Sequence, residues 1–218
     1  MDKYNFKRLP THIGIIPDGN RRWAQNKGFD KKDGYKFGID PGVELFNLCS
    51  QIGINEVTFY GFTKDNTKRP ADQTKEFRNA CVESVMRLTH TDCEILVVGD
   101  AESSLFPEEL LPFTKRKKFG KGGIKANFLI NYGWEWDVSK YDKSVRKKGF
   151  INNIASSDIS RMDLIIRWGG RCRLSGFLPV QSVYSDFYMI NDFWPDFNAE
   201  HFYEALEWYE GQDVTLGG

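Results

Sequence analysis

One short stretch of the sequence places a carboxylate, a glycine and two guanidinium groups close together. Asp18 and Gly19 follow the apolar run at 12–17, and Arg21 and Arg22 come shortly after them. A glycine lets the backbone approach an anion, and arginine contacts phosphate oxygens through paired hydrogen bonds. A carboxylate that shares a cation with phosphate oxygens is the usual way of holding Mg²⁺. These residue types predict a phosphate site that contains Mg²⁺.

Two other stretches have the same chemical character. TKDNTKRP (63–70) and RWGGRCRLSG (167–176) each follow an apolar run and are rich in cations, small residues and hydroxyl groups. The charged residues that we expect to converge are Arg22, Lys31, Arg69, Arg167 and Arg173, with Asp18 and Asp186 as the acids. The sequence contains neither a P-loop nor the dinucleotide-binding glycine pattern, so a phosphate ligand must be held in another way.

Each stretch taken alone has a simpler interpretation. An Asp-Gly pair after a strand is most often a turn, and arginines at the start of a helix are most often solvated. Three cationic stretches that all follow strands are harder to explain in this way, and together they favour a binding site.

The elements that would position these residues alternate along the chain. Apolar runs predict strands at 12–17, 54–62, 93–99, 126–133, 162–170 and 185–190, and periodic apolar spacing predicts helices at 20–28, 41–53, 71–89, 107–115 and 198–210. Strands that are apolar throughout and alternate with helices indicate an α/β domain with a mainly parallel central sheet flanked by helices. Ligands bind such sheets beyond the carboxyl ends of the strands.

Composition limits the class of protein. The 218 residues suit a single domain over 1–218, and 30 basic against 30 acidic residues give no net charge, so no nucleic acid partner is expected. The aromatic fraction of 15% fits a filled core or a long apolar pocket. Neither a targeting segment nor an apolar run of membrane-spanning length is present, and the four cysteines lack zinc-ligand spacing. We expect a cytoplasmic protein with at most peripheral membrane contact.

The stretch HIGIIPDGNRRWAQNKG (12–28) resembles the signature of the cis-prenyltransferases, the undecaprenyl diphosphate synthase family, whose usual form is His-x-x-x-Ile-Met-Asp-Gly-Asn-x-Arg-Trp-Ala. The likeness continues in order through GYKFG, VTFYGFTKDNTKRP, NYG and DLIIRWGGRCRLSGFLPVQSVYSDFYMINDFWPDF. It implies a homodimer in which each domain has a hydrophobic tunnel beside two diphosphate sites. It also implies Mg²⁺-dependent transfer of a prenyl group from an allylic diphosphate, such as dimethylallyl diphosphate or a longer one, to a second prenyl diphosphate, typically isopentenyl diphosphate.

The resemblance also implies roles for individual residues. Asp18 would position Mg²⁺ on the departing diphosphate, and Asp186, in place of the usual Glu, would be the second metal ligand. The catalytic set it implies is Asp18, Asn20, Thr63 and Asn66. The substrate-binding set is Gly19, Asn20, Arg21, Arg22, Trp23, Lys31, Tyr35, Phe62 and Arg69, with Arg167, Arg173 and Ser175 on the acceptor diphosphate. Either a diphosphate oxygen would accept the departing proton, or a hydroxyl relay through Thr63 would carry it away.

The sequence departs from the family pattern at several of these positions. Pro17 replaces Met, Tyr35 replaces His, Gln73 replaces Glu, and Pro179 lies in the region that usually reads FLLWQ. Pro17, Tyr35, Pro179 and the second arginine, Arg21, resemble features of the lavandulyl and cyclolavandulyl diphosphate synthases, which join two dimethylallyl units head-to-middle. We therefore expect irregular, branched condensation with dimethylallyl diphosphate as acceptor.

Two other interpretations stay open. The usual C-terminal Arg-x-Gly appears as Thr215-Leu216-Gly217, so the chain could be the catalytic half of a hetero-oligomer that performs regular head-to-tail elongation with isopentenyl diphosphate. It could also be a non-catalytic binding or scaffold subunit, although the retained Asp18, Arg22 and Arg167 argue against this.

Overall fold

A seven-stranded sheet forms the centre of the molecule in the computed structural model, which describes residues 5–141 and 149–213. The strands are β1 His12–Ile16, β2 Glu56–Tyr60, β3 Cys93–Val98, β4 Lys117–Phe119, β5 Ile124–Leu129, β6 Leu164–Arg167 and β7 Asp186–Met189. The α-helices are α1 Asn20–Asn26, α2 Ile39–Ile52, α3 Ala71–Leu88, α4 Trp134–Ser139 and α5 Ala199–Glu210. Short 3₁₀ helices at Lys31–Gly38, Lys64–Lys68 and Glu108–Phe113 lie in the connections between these helices and strands.

The sheet is parallel except at one edge, which confirms the predicted α/β class. Its order is β4-β3-β5-β2-β1-β6-β7, and only β4 runs antiparallel to its neighbour. β1 lies between β2 and β6, so the chain winds outward from β1 in both directions. The point where the strand order reverses is where open α/β sheets bind their ligands.

Apolar layers cover both faces of the sheet. Ile13 and Ile15 of β1 face a core that α2, α3 and α5 cover, and Ile16 faces a second core built largely from the segment 159–178. All five residues of β1 are buried because both of its faces are covered. The carboxyl end of this strand therefore has a fixed position, which also fixes the start of the turn that follows it.

The helices follow the predicted apolar spacing closely. Cys81, Val85 and Leu88 of α3 face the core, and the Asn198 side chain accepts a hydrogen bond from the His201 N–H to cap α5. α4 and β4 were not predicted, because α4 is short and the three residues of β4 lie in a strongly charged run at 115–123 that has no strand-like apolar pattern. Among the described residues, no helix has the length and apolar character needed to cross a membrane.

Gly14 is a close-packed position on β1. A Cβ atom there would lie 2.5 Å from Phe177 Cε1 and 2.6 Å from Met162 Sδ. We expect Gly14→Ala to lower the free energy of unfolding by about 1–3 kcal/mol, because overpacking forces neighbouring side chains out of their rotamers. Urea-induced unfolding measures this loss.

Gly42 provides the matched control for Gly14→Ala. It lies inside α2, and a Cβ atom there would have only an ordinary contact with Trp194, at 3.9 Å. Gly42→Ala should raise the free energy of unfolding by about 0.5–1 kcal/mol, because alanine has the higher helix propensity. Equal effects of the two substitutions would contradict the close packing at Gly14.

Candidate active site

A polar cleft of about 450 Å³ opens at the carboxyl ends of β1, β2 and β6. Thirteen residues that the sequence predicted for the site line this cleft: Asp18, Gly19, Asn20, Arg21, Arg22, Lys31, Tyr35, Thr63, Asn66, Arg69, Arg167, Arg173 and Ser175. The three stretches that follow strands therefore meet where the parallel sheet predicted that they would.

Asp18 and Arg167 form the central ion pair of the cleft. Arg167 Nη2 lies 2.8 Å from Asp18 Oδ2, and Arg22 Nη2 lies 3.3 Å from the other carboxylate oxygen. Burial favours the neutral acid, but the hydrogen bond from Arg167 and the charges of both arginines outweigh it and lower the pKa of Asp18. Asp18 is therefore a carboxylate at neutral pH.

Arg167 also organises the loop that follows β6. Its Nη1 donates to the Ser175 Oγ at 3.0 Å and to the Arg173 carbonyl oxygen. Ser175 adopts a left-handed backbone conformation with φ 52°, which only a well-fixed loop keeps for a residue other than glycine. The side chain of Arg167 is buried and contacts the inner side of this loop. Arg173 is exposed at the rim of the cleft.

The turn between β1 and α1 is equally constrained. Gly19 has φ 108°, and a Cβ atom there would lie 2.6 Å from Phe193 Cδ1. The Asn20 amide donates to the Pro17 carbonyl at 2.9 Å, and Arg22 Nη1 donates to the Gly169 carbonyl at 2.9 Å. Arg22 thus connects α1 to the loop after β6, and the turn needs glycine at position 19.

Thr63 and Asn66 fix the wall of the cleft beyond β2. The Asn66 side chain accepts from the Thr63 N–H at 2.9 Å, and the Asn66 N–H donates to Thr63 Oγ1 at 3.3 Å. These reciprocal bonds cap the helical turn Lys64–Lys68 and hold the Thr63 hydroxyl in place.

Tyr35 and Arg69 form a second polar pair in the cleft. Arg69 Nη1 donates to the Tyr35 hydroxyl at 2.9 Å, and the Tyr35 ring stacks on Phe77 with centroids 4.5 Å apart. Burial raises the pKa of Tyr35 above its ordinary value, so its hydroxyl is neutral at physiological pH.

The charge of the cleft is strongly positive although the chain has no net charge. Seven cationic side chains line it: Arg21, Arg22, Lys31, Arg69, Arg167, Arg171 and Arg173. The acids that line it are Asp18 and Asp65, and Asp65 already pairs with Lys68 at 2.7 Å. Arg171 was not predicted as a site residue, although it lies in the predicted stretch RWGGRCRLSG. Such a cleft suits a polyanion.

The cleft continues into a narrow apolar cavity of about 70 Å³. The residues that line both spaces are Pro17, Asn20, Tyr35, Tyr60, Gly61 and Phe77. Deeper in, side chains of α2, α3, β2 and β5 form its walls, among them Val43, Cys81, Leu88, Phe59 and Phe128. A ligand with an anionic head and an apolar tail would fill both spaces, with its head in the cleft and its tail in the cavity.

The structure corrects the expectation for Asp186. It is the first residue of β7 and pairs in register with Leu164, the first residue of β6. Asp18 follows the carboxyl end of β1, and β1, β6 and β7 run parallel. Asp186 therefore lies at the amino ends of the strands, on the side of the sheet away from the cleft. Within one chain, Asp186 cannot join Asp18 in a metal site.

Two predicted substrate contacts are instead buried supports. Trp23 donates from Nε1 to Asp196 at 2.7 Å and packs on Phe37, which anchors α1. Phe62 is fully buried and meets Phe77 edge to face. Neither side chain lines the cleft. The predicted role of Thr215-Leu216-Gly217 lies outside the described residues.

Asp18 fits a magnesium ion that is shared with a diphosphate. Among residues 5–141 and 149–213, no three His, Cys, Asp or Glu side chains gather as a protein-only metal site. Mg²⁺ commonly takes one or two carboxylates and completes its shell with phosphate oxygens and water. The chemistry of the cleft therefore fits Mg²⁺ that arrives with its substrate.

Comparison with known proteins supplies the family. The family model of undecaprenyl diphosphate synthases, a prenyltransferase family, matches residues 16–217. The chain belongs to this family. An isoprenyl transferase of Streptococcus thermophilus is 32% identical, covering 96% of this chain and 94% of the relative. The (2E,6E)-farnesyl-diphosphate-specific ditrans,polycis-undecaprenyl-diphosphate synthase of Aliivibrio fischeri is 29% identical, covering 96% and 89%.

A solved structure has the same fold as this prenyltransferase. Lavandulyl diphosphate synthase from Lavandula x intermedia, in complex with dimethylallyl diphosphate, matches with a TM-score of 0.83 and 22% identity. The match covers 96% of this chain and 98% of that one. At this identity the likeness establishes the architecture, and the cleft must be interpreted from its own residues.

The cationic cleft of this prenyltransferase should bind inorganic diphosphate. We expect Arg22→Gln to weaken diphosphate binding about tenfold to a hundredfold, because a hydrogen bond to a charged group contributes about 1.5–3 kcal/mol. Isothermal titration calorimetry measures the affinity. Arg116→Gln is the control, since Arg116 pairs with Asp158 outside the cleft, and equal losses in both variants would contradict the assignment.

Proposed function

We propose that this prenyltransferase joins two molecules of dimethylallyl diphosphate head-to-middle in a Mg²⁺-assisted reaction and forms a branched prenyl diphosphate. The observation that carries the proposal is the continuity between the cationic cleft and the narrow apolar cavity. The cleft has charge enough for two diphosphates, and the cavity has room for a short prenyl chain.

Several of the positions that depart from the family pattern lie in the cleft or at its passage to the cavity. Pro17 and Tyr35 line both spaces, and Arg21 lines the cleft and donates to Gln73 at 3.4 Å. Of the substituted residues, Arg21 and Gln73 contact each other, and Pro17 and Tyr35 lie where the cleft meets the cavity. Their position supports a change in how the two prenyl chains meet.

The chain's own residues would divide the two diphosphates between them. Gly19, Asn20, Arg22 and Lys31 would hold the donor diphosphate beside Asp18. Arg167, Arg171, Arg173 and Ser175 would hold the acceptor diphosphate at the loop after β6. Guanidinium groups that are already in place stabilise the negative charge of a departing diphosphate without reorganisation in the reaction step.

The bond changes follow from this arrangement. The allylic C–O bond of the donor breaks, and its electron pair leaves with the diphosphate. The acceptor alkene, held nearby, then supplies the electron pair of the new C–C bond. A proton leaves the coupled cation for a diphosphate oxygen, either directly or through a relay in which the Thr63 hydroxyl takes it up and passes its own proton to that oxygen. Bound Mg²⁺, held by Asp18, would neutralise charge on the departing diphosphate.

Regular head-to-tail elongation with isopentenyl diphosphate is the second candidate function. The observation in its favour is that the Aliivibrio fischeri relative, at 29% identity, is named an undecaprenyl-diphosphate synthase. Activity of the purified chain alone would favour a homodimer, and activity that requires a homologous second chain would favour a two-component enzyme.

Product analysis separates the two functions. We expect the purified chain with Mg²⁺ and dimethylallyl diphosphate alone to form a branched condensation product, identified by mass spectrometry after removal of the diphosphate. Elongation only when isopentenyl diphosphate is added would support the regular reaction instead. No condensed product under either condition would contradict catalysis.

Asp18→Asn tests the metal carboxylate. The substitution keeps the size of the side chain but removes its charge, so we expect kcat/KM with Mg²⁺ to fall about a hundredfold or more. Affinity for inorganic diphosphate without Mg²⁺ should not fall, because a repelling negative charge has been removed. Both readouts compare the variant with the native protein.

Asp65→Asn is the control, since Asp65 is exposed at the rim of the same cleft and pairs with Lys68. Its effect on turnover should stay within about threefold, as expected for an exposed ion pair. Near-normal turnover in Asp18→Asn, or an equal loss in Asp65→Asn, would contradict the role of Asp18.

A further inference from the structure

We propose that Phe193 is a positioning residue that orients the guanidinium of Arg22 toward the donor diphosphate. The inference rests on the proposed function, because it assumes that Arg22 holds this diphosphate. It adds a residue that does not itself line the cleft and that acts through a cation that does.

Phe193 lies in the loop after β7, and this loop is hydrogen-bonded to both sides of the cleft. The Trp194 N–H donates to the Asp18 carbonyl oxygen at 3.0 Å. The Asp192 carbonyl oxygen accepts from the Gly169 N–H at 2.8 Å. The residues before and after Phe193 are therefore tied to the loop after β6 and to the turn after β1, and Phe193 is held between them.

The ring of Phe193 contacts both the turn and the cation. Gly19 approaches the ring so closely that a Cβ atom on Gly19 would lie 2.6 Å from Phe193 Cδ1. The Cζ atom of Arg22 lies over the ring, 5.0 Å from its centroid. A guanidinium group is attracted to the negative face of an aromatic ring. The close approach at Gly19 therefore brings α1 near enough for the ring to act on Arg22.

The guanidinium of Arg22 has three neighbours that fix its place. Its Nη1 donates to the Gly169 carbonyl oxygen at 2.9 Å, its Nη2 lies 3.3 Å from Asp18 Oδ1, and the Phe193 ring lies against it. A guanidinium has more N–H groups than these two polar contacts use, so donors remain for a diphosphate. The side chain is 38% exposed, so a ligand in the cleft can reach these donors.

Asp18 is the group that would otherwise attract Arg22 most strongly. Arginine prefers paired hydrogen bonds with a carboxylate, and Arg22 makes only one long contact with Asp18. Without the ring, the guanidinium could turn farther toward this carboxylate. That arrangement would take N–H groups away from the diphosphate and would cover the oxygen expected to hold Mg²⁺. The ring thus keeps the cation available to the ligand.

The test is a double-mutant cycle that measures affinity for inorganic diphosphate by isothermal titration calorimetry without Mg²⁺. Phe193→Leu keeps an apolar side chain against Gly19 but removes the aromatic face. We expect it to weaken diphosphate binding about twofold to fivefold, as loss of a partly exposed cation–π contact implies. Phe193→Tyr keeps the aromatic face and should bind as the native chain does. Phe193→Met provides the same comparison if Phe193→Leu does not fold.

The second arm of the cycle repeats Phe193→Leu in the Arg22→Gln background. We expect no further loss of affinity there, because the ring then has no cation to orient. A merely structural role of Phe193 would instead lower the affinity by the same factor in both backgrounds, since independent effects add.

Phe113→Leu is the matched control. The Nζ atom of Lys117 lies over the Phe113 ring, 5.6 Å from its centroid, and neither residue lines the cleft. The substitution removes a cation–π contact of similar length from another part of the fold. It should leave the affinity for diphosphate unchanged.

The outcomes separate this inference from the proposed function. Failure of the native chain to bind diphosphate would contradict both. Native binding that Arg22→Gln weakens, with no loss in Phe193→Leu, would contradict the inference alone. A loss in Phe193→Leu that persists in full in the Arg22→Gln background, or an equal loss in Phe113→Leu, would also contradict it, because the effect would then come from general loosening of the fold.

Discussion

The ion pair between Asp18 and Arg167 is the interaction on which the site depends. Arg167 is a buried cation at the carboxyl end of β6, beside Ile16 in register, and a buried charge without a partner would be strongly destabilising. Asp18 supplies the partner, and the same guanidinium holds Ser175 and Arg173 in the following loop. One pair thus joins the two strands at the point where the strand order reverses, and it places a carboxylate inside a cleft that is otherwise cationic.

Two chemically different spaces arise from the same strands. β2 ends at the cleft, and Phe59, Tyr60 and the following Gly61 line the apolar cavity beside it. On the proposed function, the cleft attracts diphosphate by charge and the cavity accepts the tail by excluding water. The parallel sheet keeps both in fixed register, so a molecule with an anionic head and an apolar tail fits one continuous site.

The sequence allowed the parallel α/β fold and most of the cleft to be predicted. Apolar strands identify a buried sheet, and the residues that follow parallel strands must meet at the carboxyl ends of those strands. Asp186 was misplaced because it begins its strand, and the same rule excludes the amino end of a parallel strand from the cleft. Trp23 and Phe62 were assigned to substrate because family motifs do not separate contact residues from the buried side chains that support them. The walls of the apolar cavity could not be predicted residue by residue, since they depend on the register of β2 against β5 and on the shape of the space between helices.

The most direct test of the central claim is a crystal structure with Mg²⁺ and dimethylallyl thiodiphosphate. The account predicts that the diphosphate lies between Asp18, Arg22 and the loop after β6, with Mg²⁺ on an Asp18 oxygen. It also predicts that the dimethylallyl group passes Gly61 and enters the apolar cavity. A diphosphate bound outside the cleft, or a tail that points into solvent while the apolar cavity stays closed, would contradict it.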